Sequence, residues 1–271
     1  GGCALPDLIE TGEPKYGAIL RIYFFAETLT NEDRVMEFSL NRDQADIQKA
    51  AAEFARGEFD PDAALEDDRE ERYPLSLRKK ACDLGFVGMH IPEEYGGMGE
   101  DDYRYCAIAA EEVARAGVPG FIMVLQTDMT VPYITKFGSE EIKHRWLPGL
   151  ASGELICAIA MTEPNTGSDL SAVRATAIRK DDHYLLNGQK TFISNGILSD
   201  LVIVVAKTDT TKGGSGISLI VVERDTVGFE RGRNLDKIGM HSQDTAELYF
   251  NDVKVPLNNV LGEEGKGFGY L

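Results

Sequence analysis

The sequence predicts an α+β multidomain chain: an N-terminal all-α helical domain, a small antiparallel β-barrel or sandwich, then the start of a second helical domain. Three observations predict it. Apolar residues recur at helical spacing through residues 38–152. After Gly153 the pattern changes to short apolar runs separated by turn residues. From Pro256 the strand pattern stops, and "LNNVLGEEGKGFGYL" reads as a loop that opens a helix. The expected domains are 36–153, 154–256 and 257–271, and a helix beginning so near Leu271 suggests a shortened third domain. Residues 1–35 are an N-terminal extension to which no role is assigned.

In the helical part, "NRDQADIQKAAAEFARGEF" places Ile47, Ala50, Ala51, Phe54 and Ala55 on one face, with Gly57 as a stop. "PLSLRKKACDLG" gives a helix with Leu77, Ala81 and Leu84 in line and Gly85 as its cap. "DDYRYCAIAAEEVARAG" gives another, with Tyr103, Ala107, Ala110 and Ala114 in line. "GFIMVLQTDMTVPYITKFG" is mostly apolar and is disturbed at Pro132, which lacks a backbone N–H. Ser139 is a good N-cap for "EEIKHRWLPGL".

In the β part, "LICAIAMT", "LVIVVAKTD", "GISLIVVERD" and "AELYFNDVKVP" each read as a strand. "TAIRKDDHYLLNGQKTFIS" holds two strands around turn-forming positions, Asn187-Gly188 among them.

Charge and composition exclude several functions. Lys and Arg total 28 against 45 Asp and Glu, a net charge of −17. Phosphate backbones and anionic membrane surfaces both call for clustered cations. The longest apolar stretch, "AILRIYFFA", is too short to span a bilayer and contains Arg21. The cysteines (3, 82, 106 and 157) are scattered, which fits a reduced intracellular compartment. Neither they nor the four histidines show the spacing of a metal-ligand set, so no metal is expected.

The richest stretch is "AMTEPNTGSDLSAV", residues 160–173, where an apolar strand ends in a run of hydroxyls and turn residues. Taken alone it reads as an Asx or Ser/Thr turn closing a strand. "GEEGKGFG" lacks the ending and the strand–turn–helix setting of a phosphate loop, and a loop leading into a helix is the better reading.

Four motifs occur in one order: "AMTEPNTGSDL", "LNGQKTFISNG", "DKIGMHSQDTAELYFNDVKVP" and "LGEEGKGF". With "LGFVGMHIPEEYGG" and "VPYITKFGSEEIKHRWLPGLASGE" before them, residues 36–271 resemble the acyl-CoA dehydrogenase family. "VPYI", "AIAMTEP", "LSDLVIVVA" and "GISL" resemble its long-chain branch. The resemblance implies three domains, of which this chain carries two and the entry to the third. It implies FAD as cofactor and α,β-dehydrogenation of an acyl-CoA thioester to the trans-2-enoyl-CoA. An electron-transfer flavoprotein is the implied electron acceptor, and a homodimer or homotetramer the implied assembly. The implied setting is the cytoplasm, or the mitochondrial matrix in a eukaryote.

By the same resemblance Ile159, Ala160, Met161, Thr162, Gly167 and Ser168 run along the flavin and its pyrophosphate. The chemistry agrees: the flavin edge needs alternating donors and acceptors, which a strand end and Thr162 supply. Pro164 and Gly167 would shape a tight turn, and Gly167 would let backbone approach a phosphate. Phe192 stands where the family often has Trp against the flavin, and Ser194 where it often has a Thr bonded to flavin N5, with Ile193 between them. Ser168, Gly214 and Ser215 are the implied substrate contacts, the last two in a loop that otherwise reads as a connector. At Gly269 the long-chain branch tends to carry a Tyr. Glu163 and Asp169 are the nearest carboxylates but are not assigned as the base. The resemblance puts that Glu in the C-terminal helical domain, beyond Leu271, so this chain alone is expected to be inactive. The alternatives are an oxygen-using oxidase or monooxygenase of the same fold, or a non-catalytic flavin- or partner-binding subunit. Acyl chain length is not fixed by these residues.

Overall fold

The computed structural model describes residues 39–118 and 120–271. The extension 1–35 lies outside the described residues. Among the described residues six helices precede the sheet: α1 Arg42–Glu58, α2 Pro61–Arg69, α3 Leu75–Asp83, α4 Tyr103–Arg115, α5 Val131–Phe137 and α6 Glu140–Ser152. None of the described helices is long and apolar enough to cross a membrane.

Local chemistry sets the ends of these helices. Ser139 accepts the Ile142 amide at 3.2 Å and caps α6, as its sequence predicts. Asp60 caps α2 by accepting from the Asp62 and Ala63 amides, with Pro61 at the first turn where a missing N–H costs nothing. That helix was not anticipated, because its one buried residue, Ala64, leaves no apolar stripe to read. The disturbance at Pro132 takes a definite form. The chain runs as a π turn over Leu125–Thr130, and α5 starts beside the proline.

Three inward faces differ from the sequence expectation. In α1 Ala50 is exposed, while Gln44, Ala51, Phe54 and Ala55 are buried. Leu84, the residue that caps α3, is exposed, and the buried face of α3 carries Arg78, Ala81 and Cys82. In α4 Tyr103, Ala107 and Ala114 face out, and Cys106, Ala109 and Val113 face in. Alanine marks a helix face weakly, so its spacing mislead the assignment in α4.

Among the described residues the sheet has eight strands: β1 Cys157–Ala160, β2 Thr176–Arg179, β3 His183–Ser194, β4 Leu201–Lys207, β5 Ile217–Glu223, β6 Phe229–Asn234, β7 Thr245–Pro256 and β8 Val260–Leu261. Their order is β6-β7-β3-β2-β4-β5-β8, with β1 joined to β4 off that path. The expected α+β class holds, but the sheet is open and mixed. β1 and β2 each pair in parallel with β4, where an all-antiparallel barrel or sandwich was expected. Asn187-Gly188 is not a hairpin turn. It lies inside β3 at a register shift, where Gly188 has φ +151° and a Cβ would meet that of Ala175 at 2.6 Å. The β2–β3 turn falls instead between Arg179 and His183.

β4 and β5 are buried on both faces, which explains their unbroken apolar runs. On one face Leu201, Ile203, Val205, Leu219 and Val221 pack with Ile134, Trp146, Leu147 and Leu150 of the helices. On the other Val202, Val204, Ile220 and Val222 pack with Tyr184, Leu248, Phe250 and Val255 of the same sheet. α5, α6 and the sheet therefore share one core, while α1, α3 and α4 pack in a cluster of their own.

After β8 a loop leads into a short helix, α7 Gly267–Tyr270, as expected for "GEEGKGFG". Gly267 packs on the start of β5, where a Cβ would meet Ser218 Cα at 2.8 Å.

Candidate functional site: a cleft between two strand ends and a π turn

β1 continues past Ala160 alongside the end of β3, and the two stretches are tied reciprocally. Thr191 N donates to Thr162 O at 3.0 Å, and Thr162 Oγ1 donates to Thr191 O. At that point β3 carries a bulge between Lys190 and Ile193. Phe192 sits in it with φ +60°, a strained setting for an aromatic residue, and the residue is 70% exposed. Bulges re-aim side chains, and this one turns Phe192 out of the core.

The strand ends and the π turn enclose a cavity of about 180 Å³. Ile159, Met161, Thr162, Phe192, Ile193 and Ser194 line it, with Leu125, Met129 and Thr130 opposite. Two motifs about 30 residues apart thus meet in one place. Of the expected cofactor residues, three fall outside the lining. Ala160 is fully buried in the core, and Gly167 and Ser168 lie exposed beyond the turn.

That turn is closed by Glu163 and Thr166, whose N–H and C=O groups bond one another across Pro164 and Asn165. Gly167 takes no part in it. It has no positive φ, and a Cβ there would meet nothing within 4 Å. The turn-shaping role expected of Gly167 is therefore corrected, and only open access to its backbone remains.

A buried ion pair supports the loop. Lys190 Nζ lies 2.9 Å from Glu163 Oε1 and also donates to Met161 O at 2.9 Å. Glu163 further accepts the Arg174 and Ala175 amides at 2.7 and 3.0 Å. Burial pushes the Glu163 carboxyl up, but the Lys190 charge and these amides outweigh it and hold it below its usual range. Glu163 is thus spent on structure. Asp169 is exposed and accepts the Ser171 amide at 3.1 Å.

Two polar residues that sequence reasoning missed brace the cleft, Asn195 within its lining and Gln126 outside it. Gln126, in the π turn, accepts from Arg78 Nη2 at 2.7 Å and from Cys157 N at 3.4 Å, and donates to Leu150 O at 2.9 Å. Asn195, with φ +60°, donates to Cys157 O at 3.1 Å and accepts from Gln243 Nε2 at 2.8 Å. The "HSQDT" motif thus buttresses the β3 end. Its Asp244 accepts from the Ile197 and Leu198 amides, and burial pushes that carboxyl up.

A second cleft of about 320 Å³ shares Met129 and Met161 with the first. Pro132, Tyr133, Phe137 and Tyr270 complete its apolar wall, and Asp128 and Lys136 its rim. Tyr270 stacks on Phe137 at 4.0 Å between ring centres. A tyrosine beside Gly269 was not anticipated as part of a site. Gly214 and Ser215 stand apart from both clefts, in a short 3₁₀ turn beside Leu170–Ala172. There a Cβ on Gly214 would meet Phe268 at 3.4 Å.

A helical layer docked on an open sheet, with a cleft at their junction, is the architecture of the described residues. The comparisons name it. Residues 41–154 match the acyl-CoA dehydrogenase N-terminal domain, and residues 158–253 the acyl-CoA dehydrogenase middle domain. The chain belongs to the acyl-CoA dehydrogenase family. It is 41% identical over 234 residues to the short-chain-specific acyl-CoA dehydrogenase of Clostridium acetobutylicum, covering 86% of this chain and 61% of that one. It is 49% identical over 198 residues to the mitochondrial long-chain-specific enzyme of Sus scrofa, covering 72% and 46%. The crystal structure of the acyl-CoA dehydrogenase from Geobacillus kaustophilus superposes with a TM-score of 0.81 at 45% identity, covering 87% and 62%. The chain thus spans about three-fifths of the C. acetobutylicum relative's length and under half of the S. scrofa one's.

Proposed function

We propose that these residues form the flavin-facing part of an FAD-dependent acyl-CoA dehydrogenase that oxidises an acyl-CoA to the trans-2-enoyl-CoA. One observation carries the reading: the first and second motifs converge on one cavity, tied by the Thr162–Thr191 pair. The residues present fit a flavin. An exposed aromatic, Phe192, offers a stacking face. The Ser194 hydroxyl has no partner among the described residues. The Thr162 hydroxyl has its proton engaged and its lone pairs free to accept.

Bound FAD supplies hydride acceptance at N5, and the protein orients and polarises. In this reading Phe192 packs on the ring, Ser194 donates toward its reactive edge, and Thr162 with the Ile159–Met161 backbone holds the pyrimidine edge. Gly167 and Ser168 present open backbone and a hydroxyl toward phosphate. Tyr133, Phe137 and Tyr270 give the thioester end of the substrate an apolar wall that excludes water. Ser168, Gly214 and Ser215 contact the CoA arm. The base is a Glu of the C-terminal domain in fuller members, electrons pass to an electron-transfer flavoprotein, and the complete protein is a homodimer or homotetramer.

The test is an absorption titration of the purified chain with FAD, followed by a long-chain acyl-CoA. Resolved flavin bands that weaken in Ser194→Ala, with no bleaching by acyl-CoA, are expected. The lost hydrogen bond corresponds to about 1 kcal/mol, roughly fivefold in Kd. A folded chain that leaves FAD free overturns the flavin reading. Bleaching overturns the assignment of the base outside these residues.

A further inference from the structure

Behind the second cleft three chemically distinct side chains converge from separate elements. His90 precedes the 3₁₀ turn Glu93–Tyr95, Cys106 lies in α4, and Asp128 lies in the π turn. His90 Nε2 lies 3.2 Å from Cys106 Sγ and 3.5 Å from Asp128 Oδ1, and the three ligand atoms all lie within 4.8 Å of one another. His90 and Cys106 are 92% and 95% buried, being 8% and 5% exposed.

The hydrogen-bond count does not close. His90 Nδ1 sits 2.7 Å from the Glu100 carbonyl, which can only accept. Nδ1 therefore carries the proton, and in the neutral ring Nε2 presents a lone pair to the cluster. Asp128 Oδ1 is a buried carboxylate oxygen with no hydrogen-bond partner. Two acceptors thus face one weak donor, the Cys106 thiol, and whichever it serves leaves the other unsatisfied. A cation among the three would satisfy all of them.

The spacing suits a particular cation. Zinc bond lengths in tetrahedral geometry hold mixed N, O and S ligand atoms about 3.3–3.6 Å apart, close to the 3.2 and 3.5 Å from His90 Nε2 to Cys106 Sγ and Asp128 Oδ1. The Nδ1–H to carbonyl bond is the outer contact that orients metal-ligating histidines. A nitrogen, a thiolate and a carboxylate oxygen suit zinc better than copper(I), which prefers sulfur alone.

We propose that His90, Cys106 and Asp128 form a zinc site, reached from the second cleft through Asp128. Binding forms a Zn–S bond and releases the Cys106 thiol proton to solvent. The cleft supplies water as the fourth ligand, and Met89, whose Sδ is 3.5 Å from Cys106 Sγ, covers the opposite side. The site lies in the helical domain, independent of flavin. Sequence spacing concealed it, because the ligands are 16 and 22 residues apart on three elements.

The test is cobalt(II) titration of the tag-free chain, followed by displacement with zinc. The expected result is one equivalent bound, a thiolate-to-cobalt charge-transfer band, and protection of Cys106 from alkylation. Cys106→Ala and His90→Gln, each checked for native circular dichroism, should abolish the band and weaken zinc binding by about 100-fold or more. Cys82→Ala and Cys157→Ala should leave it intact. Three results would overturn the proposal. One is a folded wild-type chain that binds no cobalt. Another is a band that survives Cys106→Ala, and the third is a band that depends on Cys82 or Cys157.

Discussion

At the scale of single residues, the Glu163–Lys190 pair shows how far a motif's meaning depends on burial. In sequence Glu163 is one of the two carboxylates nearest the proposed flavin, though not assigned as the base. In the fold it is 8% exposed and saturated by an ammonium and two amides. Lys190→Met would leave that carboxylate buried without its cation, costing about 3 kcal/mol. Urea denaturation at neutral pH measures it, and an unchanged midpoint would refute the role. The cost is also pH-dependent. Glu163 has a lowered carboxyl, so its stabilising contribution is present above the ordinary carboxylate range and is lost as pH falls through the lowered value. In Lys190→Met acid neutralises the stranded carboxylate, so the gap between the two proteins should narrow as pH falls. The residues around Glu163 were legible only in part. Thr162, Phe192 and Ser194 announced themselves through motifs. Lys190, Gln126 and Asn195 did not, because a polar residue's partners, the Met161 and Cys157 backbone among them, become neighbours only on folding.

At the scale of elements, the π turn Leu125–Thr130 joins the helical layer to β1 and lines the first cavity. Gln126 is its anchor. Gln126→Ala would remove an acceptor from Arg78 and Cys157 N and a donor from Leu150 O. With buried groups left unpaired, a loss of about 3 kcal/mol is expected, together with at least tenfold weaker FAD binding. Calorimetry and a flavin titration check both, and full affinity in the variant would show that the turn does not set the cleft. Element type was readable wherever the apolar period was strong, as in α1 and β5. It was unreadable in α2, whose nine residues bury only Ala64, and in β6, whose "FERGRN" is mostly polar. Asn187-Gly188 misled because the same dipeptide serves a hairpin turn or a bulge, and the close approach of Ala175 decides between them.

For the whole molecule, the proposed cofactor should act as a stabiliser as well as a reagent. FAD at a hundredfold excess over its Kd should add about 2.7 kcal/mol to the unfolding free energy. Differential scanning calorimetry across FAD concentrations measures it, and a transition that ignores FAD would count against the cleft as its site. Domain order was legible from the switch of period at Gly153. The sharing of one core was not. Nothing in "LVIVVA" says whether its second face meets another strand or the Trp146, Leu147 and Leu150 side of α6.

That shared core governs how the chain folds during synthesis. β4 and β5 become available only after α1 to α6 have emerged, and their inner face has nothing to bury against unless α5 and α6 are already in place. A polypeptide starting at residue 154 would carry "LVIVVA" and "ISLIVV" with one face bare, the kind of β-prone apolar segment that self-associates. The helical layer therefore doubles as a built-in chaperone for the strands that follow it.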